Sequence, residues 1–229
     1  MGKYRYLLLD MDETILDFKM AEHVTLRKTM ESFGLKYSPD IEARYSEINR
    51  SLWKKLEKGE ITRAELQRKR FEMTFGGGDG LAMNAKWLDI LSECGFYLPG
   101  ARKFMERLAA TDLRVFIITN GMSKTQNGRI RTADLSRYTE KVFISEEIGC
   151  VKPDPAFIDY VIDHTGDHDR SRYLIVGDSL TSDIALAGNS DMDCCLFVKE
   201  GTLPPSGYKD FRINYIAYNY DDLLDYILK

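Results

Sequence analysis

The 229 residues are 44% hydrophobic and 11% aromatic, with a formal net charge of −4. A chain of this size buries one large core, or a core and a smaller insert, without disulfide or metal staples. The mild acidity, with both signs mixed, supplies no basic face for a nucleic acid polymer but leaves an anionic small molecule open, because a site can be locally positive.

The opening MGKYRYLLLD has no long apolar stretch or small-residue cleavage site for a secretory signal, and Tyr6 stands where a myristoylation site needs Ser or Thr. No apolar run approaches the ~18 residues of a membrane span. Cys94, Cys150, Cys194 and Cys195 form no C-x-x-C pair, and His23, His164 and His168 are scattered. Reduced thiols in a cytoplasmic protein are expected, without a zinc set.

The first predicted strand, Tyr4 to Leu9, runs straight into Asp10, Asp12 and Glu13. Folding gives no reason to end a buried strand in three acids, since carboxylates repel and resist leaving water. In an extended D-M-D, Asp10 and Asp12 point to one side with Met11 opposite. Two such carboxylates at a strand's carboxyl end suit a divalent cation such as Mg²⁺; an acidic turn capping a helix is the plainer alternative.

From about Leu16 to Tyr97 the chain reads as helical and strand-free, too long for a loop and therefore a small domain of its own. Ile41, Tyr45, Ile48, Leu52 and Leu56 fall at helical spacing, and Thr62 with Glu65 forms a capping box. FGGGDG at 75–80 is a flexible break, and no G-K-[ST] follows it to make a P-loop. Between Glu42 and Glu72 nine Lys or Arg face six Asp or Glu. Solvated helix faces explain that excess as readily as a mildly positive lid does. Tyr45, Trp53, Phe71, Phe75 and Trp87 are expected to pack in the core of this segment rather than stack on a base.

Beyond it, strands alternate with helices. PGARKFMERLAA is helical, followed by a strand at Leu113 to Ile118 that ends in FIITNG. Thr119, Asn120 and Gly121 there offer a hydroxyl and free amides before a helix, as a phosphate site or merely a polar loop would. A strand at Lys141 to Ile144 leads to GCVKPDP, where Lys152 on its own would read as a surface charge. Asp154 caps and Gly166 stops the next helix. The strand Tyr173 to Val176 ends in LIVGDSLTSDIA, with Asp178 and Asp183 abutting it, and strands at Cys194 to Val198 and Tyr215 to Tyr218 complete the pattern. The alternation predicts a parallel sheet with helices on both faces.

DMDET, ITNG, GCVKPDP and GDSLTSD, in this order, resemble the four motifs of the haloacid dehalogenase superfamily. The run from ITNGMSKTQ to PDPAFIDYVI resembles the branch containing bacterial pyrimidine nucleoside 5′-monophosphatases. The resemblance implies a Rossmann-like α/β core at 1–15 and 98–229 and a helical C1-type cap at 16–97, hinged at Ile15 to Phe18 and Phe96 to Gly100. It implies Asp10 as nucleophile and Asp12 as general acid, then base. Thr119, Asn120 and Lys152 would bind phosphate. Mg²⁺ would be held by Asp10, the Asp12 carbonyl and Asp178. Thr14 would fix the turn and Asp183 would orient Lys152 or a metal-bound water. Glu13 would point away into solvent. An acidic Asp12 argues for phosphatase or phosphomutase over dehalogenase. The expected activity is a Mg²⁺-dependent phosphomonoesterase on small metabolites, nucleoside 5′-monophosphates first, with a sugar phosphate or phosphoglycolate as alternatives. A retired binding protein would show damage at Asp10, Asp12, Lys152 or Asp178, and none is damaged. The expected partner is a small phosphate monoester, with no nucleic acid polymer or membrane, acting on a monomer or homodimer.

Overall fold

The computed structural model describes residues 2–229, which form two compact units. The first takes the chain up to Phe18, then Phe96–Ser123 and Ala133–Lys229; the second takes Lys19–Gly95 and Lys124–Thr132.

The first unit is built on six parallel strands: β1 (Tyr6–Asp10), β2 (Arg114–Thr119), β3 (Lys141–Ile144), β4 (Tyr173–Gly177), β5 (Asp193–Phe197) and β6 (Tyr215–Ala217), in the order β3-β2-β1-β4-β5-β6. Every residue of β1 and β4 is buried. Continuous apolar runs such as YLLL and YLIV are what a strand covered on both faces requires. Leu8, Phe116 and Ile175 share one core cluster with Phe157 and Ile162, while Leu7 and Leu9 alternate to the other face and are equally sealed.

Strand ends move relative to the sequence reading. β1 begins two residues later than predicted and includes Asp10, β2 includes Thr119, and β4 includes Gly177. Strand order reverses between β1's two neighbours, β2 and β4, so the carboxyl edge of β1 is a topological switch point.

The second unit contains α1 (Phe18–Ser32, from Lys19 on), α2 (Pro39–Glu57), α3 (Arg63–Phe75) and α4 (Gly80–Leu91). The Thr62–Glu65 capping box forms, and Gly76, at φ 72°, stops α3 in the left-handed conformation that glycine adopts without penalty. Tyr45, Phe71 and Trp87 are buried against one another, with the Tyr45 ring centroid 5.4 Å from Phe71 and 6.5 Å from Trp87; Trp53 and Phe75 are only half-buried.

The division falls inside the expected 16–97. Asp17 N donates to Phe96 O at 2.8 Å and Leu98 N to Ile15 O at 3.0 Å, which keeps both crossing segments with the sheet. The middle of the helix Ser123–Ala133 belongs to the helical unit. A Cβ on Gly128 would lie 2.5 Å from Ser92 O, and Arg129 Nε donates to Cys94 O at 3.2 Å. Among the described residues, no helix is long and apolar enough to cross a membrane.

Candidate active site

Four acids and one lysine gather where β1 and β4 end. Asp10 is the last residue of β1, Asp178 follows β4 directly, and Asp183 lies in the π-helical turn Leu180–Ile184. Carboxylate oxygens of Asp10, Asp178 and Asp183 lie within 4.8 Å of one another. The fourth acid, Asp12, lies two residues past the end of β1 and is half-buried, and its carboxylate is not among those three.

Lys152 is the hub. It is sealed from solvent, and its ammonium donates to Asp10 Oδ1 at 2.7 Å, Asp183 Oδ1 at 2.6 Å and the Ile118 carbonyl at 3.0 Å. A lysine that taken alone would read as a surface charge is thus the deepest cation of the unit. Asp183's other oxygen accepts Ser179 N at 3.1 Å, so both of its oxygens are used. That fit depends on Gly177, where a Cβ would stand 2.2 Å from Asp183 Oδ2.

Asn120 does not simply face the site. Its Oδ1 accepts Lys152 N at 2.8 Å, and its Nδ2 donates to Lys152 O at 2.8 Å and Ser182 Oγ at 3.4 Å. The side chain therefore clamps the Lys152 main chain, a role separate from the expected phosphate contact, which rests on the backbone amides of this loop. Thr119 is buried beside it, with its hydroxyl accepting Gly121 N at 3.2 Å. Thr14 is fully buried, and its carbonyl rather than its hydroxyl is anchored, by Tyr220 Oη at 2.8 Å. Glu13, expected in solvent, is turned inward and ion-paired to Lys199, which corrects that expectation.

The charges do not balance. Burial and then Asp183 push the Asp10 carboxyl well above the usual range, Lys152 draws it back, and Asp178 and Asp12 push it up again. Asp178 is pushed up to about 7, by burial first, then Asp183 and Glu13, against the pull of Lys152 and Lys199. Burial alone would lower Lys152, but Asp10 and Asp183 hold it above its ordinary value. Three clustered carboxylates against one ammonium leave an excess that a positive ligand would relieve.

Residues 7–197 match the family of haloacid dehalogenase-like hydrolases. The chain belongs to this family. Among relatives of this hydrolase, the pyrimidine 5′-nucleotidase PynA of Streptococcus pneumoniae is 31% identical over 97% of this chain and 94% of its own. The pyrimidine 5′-nucleotidase YjjG of Escherichia coli is 30% identical over 84% of this chain and 85% of its own. The crystal structure of the HAD-hydrolase YfnB of Bacillus subtilis, bound to magnesium, superposes with a TM-score of 0.91 at 30% identity over 99% of both chains.

In this haloacid dehalogenase-like hydrolase the donor set fits a hard divalent cation. Asp10 and Asp178 are oxygen donors within one cluster, burial and then neighbouring carboxylates hold their carboxyls up, and among the described residues no softer Cys or His joins the cluster. Sequence reading missed Lys199, Tyr220 and Ser182. Lys199 is 186 positions from Glu13, and nothing local marks either as the other's partner. Gly177's dependence on Asp183 had a weak signal, a glycine closing an apolar strand before two acids.

Proposed function

We propose that this hydrolase is a Mg²⁺-dependent phosphomonoesterase of small metabolites that works through an aspartyl phosphate on Asp10, with pyrimidine nucleoside 5′-monophosphates as its substrate class. The observation that carries the reading is Lys152 held between Asp10 and Asp183 at the carboxyl end of β1. A buried ammonium 2.7 Å from the nucleophile's oxygen stands ready to neutralise the three phosphoryl oxygens that accumulate charge in transfer. The substrate class rests on likeness to PynA over nearly the whole chain.

The steps balance without an outside reactant. An Asp10 oxygen attacks phosphorus as the bond to the leaving oxygen breaks, and Asp12 gives that oxygen its proton. Asp12, now a carboxylate, takes a proton from water as the water attacks phosphorus. The Asp10–phosphorus bond breaks and inorganic phosphate leaves. Thr119 and the amides that follow it hold phosphoryl oxygens in line, and Asn120 fixes the loop that delivers Lys152. Mg²⁺, held by Asp10, Asp178 and the Asp12 carbonyl, would neutralise charge on the transferring group. The helical unit, inserted between β1 and β2, serves as the cap that chooses the leaving group.

Phosphate release is to be measured over UMP, dUMP, dTMP, AMP, sugar phosphates and phosphoglycolate, with Mg²⁺ and with chelator. Release that needs Mg²⁺ and favours the pyrimidine nucleotides is expected. Preference for another phosphate keeps the chemistry and rejects the substrate class, and no release from any of them rejects the reaction.

A further inference from the structure

Glu13 stands in a backbone conformation that its side chain does not favour. Its φ is 62°, in the left-handed region that glycine enters freely and longer side chains seldom do. A glutamate kept there calls for a reason in its side chain. Its carboxylate receives the Lys199 ammonium, from the loop just past the end of β5, and the two side chains are only 15% and 29% exposed. Lys199 is itself tied down, its carbonyl accepting Thr202 N at 3.0 Å and Thr202 Oγ1 at 2.7 Å.

The next residue is held as well. Thr14 O accepts Tyr220 Oη at 2.8 Å, and the Tyr220 ring is stacked on Phe197 at 4.7 Å and Phe104 at 5.0 Å between centroids. The turn is closed internally by Glu13 N donating to Leu16 O at 2.8 Å. Two posts, one in the loop after β5 and one at the start of the helix Tyr220–Ile227, thus grip the residues immediately after Asp12. Asp12 is bonded directly to this gripped turn, and small misplacements of a proton donor are costly in rate.

We propose that the Glu13–Lys199 ion pair is a positioning device for Asp12, holding the turn after β1 in the conformation that presents the Asp12 carboxyl to the leaving oxygen. The inference rests on the phosphatase reading, in which Asp12 is the proton donor. Lys199 and Glu13 touch neither phosphate nor metal; their charges also reach Asp178, an influence that both kinds of phosphate ester would feel alike, whereas the turn acts through Asp12. Partly exposed ion pairs contribute little to stability, so their loss registers in rate rather than in melting temperature.

The test compares two esters by kcat/KM, which reports steps up to the phosphorylation of Asp10. UMP has an alkoxide leaving group that needs Asp12's proton; p-nitrophenyl phosphate releases a stabilised phenolate that does not. Lys199→Met should lower kcat/KM for UMP about tenfold or more, up to the ~10²–10⁴-fold that a proton donor contributes, and leave the aryl ester nearly unchanged. Lys199→Arg should restore UMP turnover. Glu13→Gly, which relaxes the backbone but removes the carboxylate, should behave like Lys199→Met. Equal losses on both esters, or a Glu13→Gly variant as active on UMP as the wild type, overturn the positioning role while leaving the phosphatase reading intact. A wild-type protein that releases phosphate from neither ester overturns the reading beneath it and the proposal together.

Discussion

Both units bury an acid, and they do so to different ends. In the helical unit, Glu22 is buried and accepts Ser46 Oγ and Asn49 Nδ2, each at 2.8 Å. Burial pushes its carboxyl up, and those two bonds together with the nearby Arg70 draw it back. Arg70 is fully buried as well. It donates twice to Asn84 Oδ1, at 2.6 and 3.2 Å, and lies 3.8 Å over the Trp87 ring. These charges sit among hydrogen-bonding and aromatic groups that tie α1, α2, α3 and α4 together. In the sheet unit, Asp10, Asp178 and Asp183 face one another, and the Lys152 ammonium bridges Asp10 and Asp183. A raised carboxyl therefore marks burial in both places. What separates chemistry from architecture is whether the neighbours are hydrogen-bonding partners of the same fold or like charges converging on one point.

The sharpest way to break this contrast is Asp10→Asn. It should abolish phosphate release while leaving the melting temperature unchanged or higher, because it removes one of three converging negative charges and keeps the Lys152–Asp183 pair. Turnover within about tenfold of wild type would reject the nucleophile. Asp12→Asn comes next, with a loss of ~10²–10⁴-fold for an alkoxide leaving group; an unchanged rate there would reject the acid–base role.

Glu22→Ala should do the reverse. Ser46 and Asn49 lose their acceptor, at a cost of about 1–3 kcal/mol, read as a lower denaturation midpoint. A Glu22→Ala protein as stable as wild type would remove the distinction between the two units.

The smallest effect concerns pH. Asp178's carboxyl is raised when folded, so its contribution to stability is present below its unfolded value and lost as pH rises through about 7. Mg²⁺ favours the ionised form, so the rise in melting temperature on adding Mg²⁺ should be larger near pH ~8 than near pH ~5. An equal rise at both would disconnect Asp178 from the cation.

Much of the sheet was legible because its signals are local. Runs such as YLLLD and YLIVG are short, apolar and closed by acids or glycine, and a buried parallel strand has no polar face to confuse the period. Asp10, Asp178, Asp183 and Lys152 stood out only as a set of strand ends; Lys152 by itself looked like a surface charge until its three partners closed round it. Asn120 was expected to meet phosphate through the amides of its loop, and nothing local to that loop reveals that its side chain grips the Lys152 main chain. Glu13 was misread for a related cause: a left-handed turn points its side chain where strict alternation would not.

The amino-acid order alone determined that a parallel α/β sheet would form, that a helical segment would interrupt it after the first strand, and which carboxylates would stand at strand ends. Those follow from periodicity, capping and turn chemistry, all of which act over a few residues. Only the tertiary structure decided that Lys152 and Asp183 share a bond across 31 positions, that Asp183 needs the bare backbone of Gly177, and that Glu13 meets Lys199 across 186. Such pairings depend on how strands distant in sequence are ordered in the sheet, and that order is settled by packing of the whole core rather than by any segment of it.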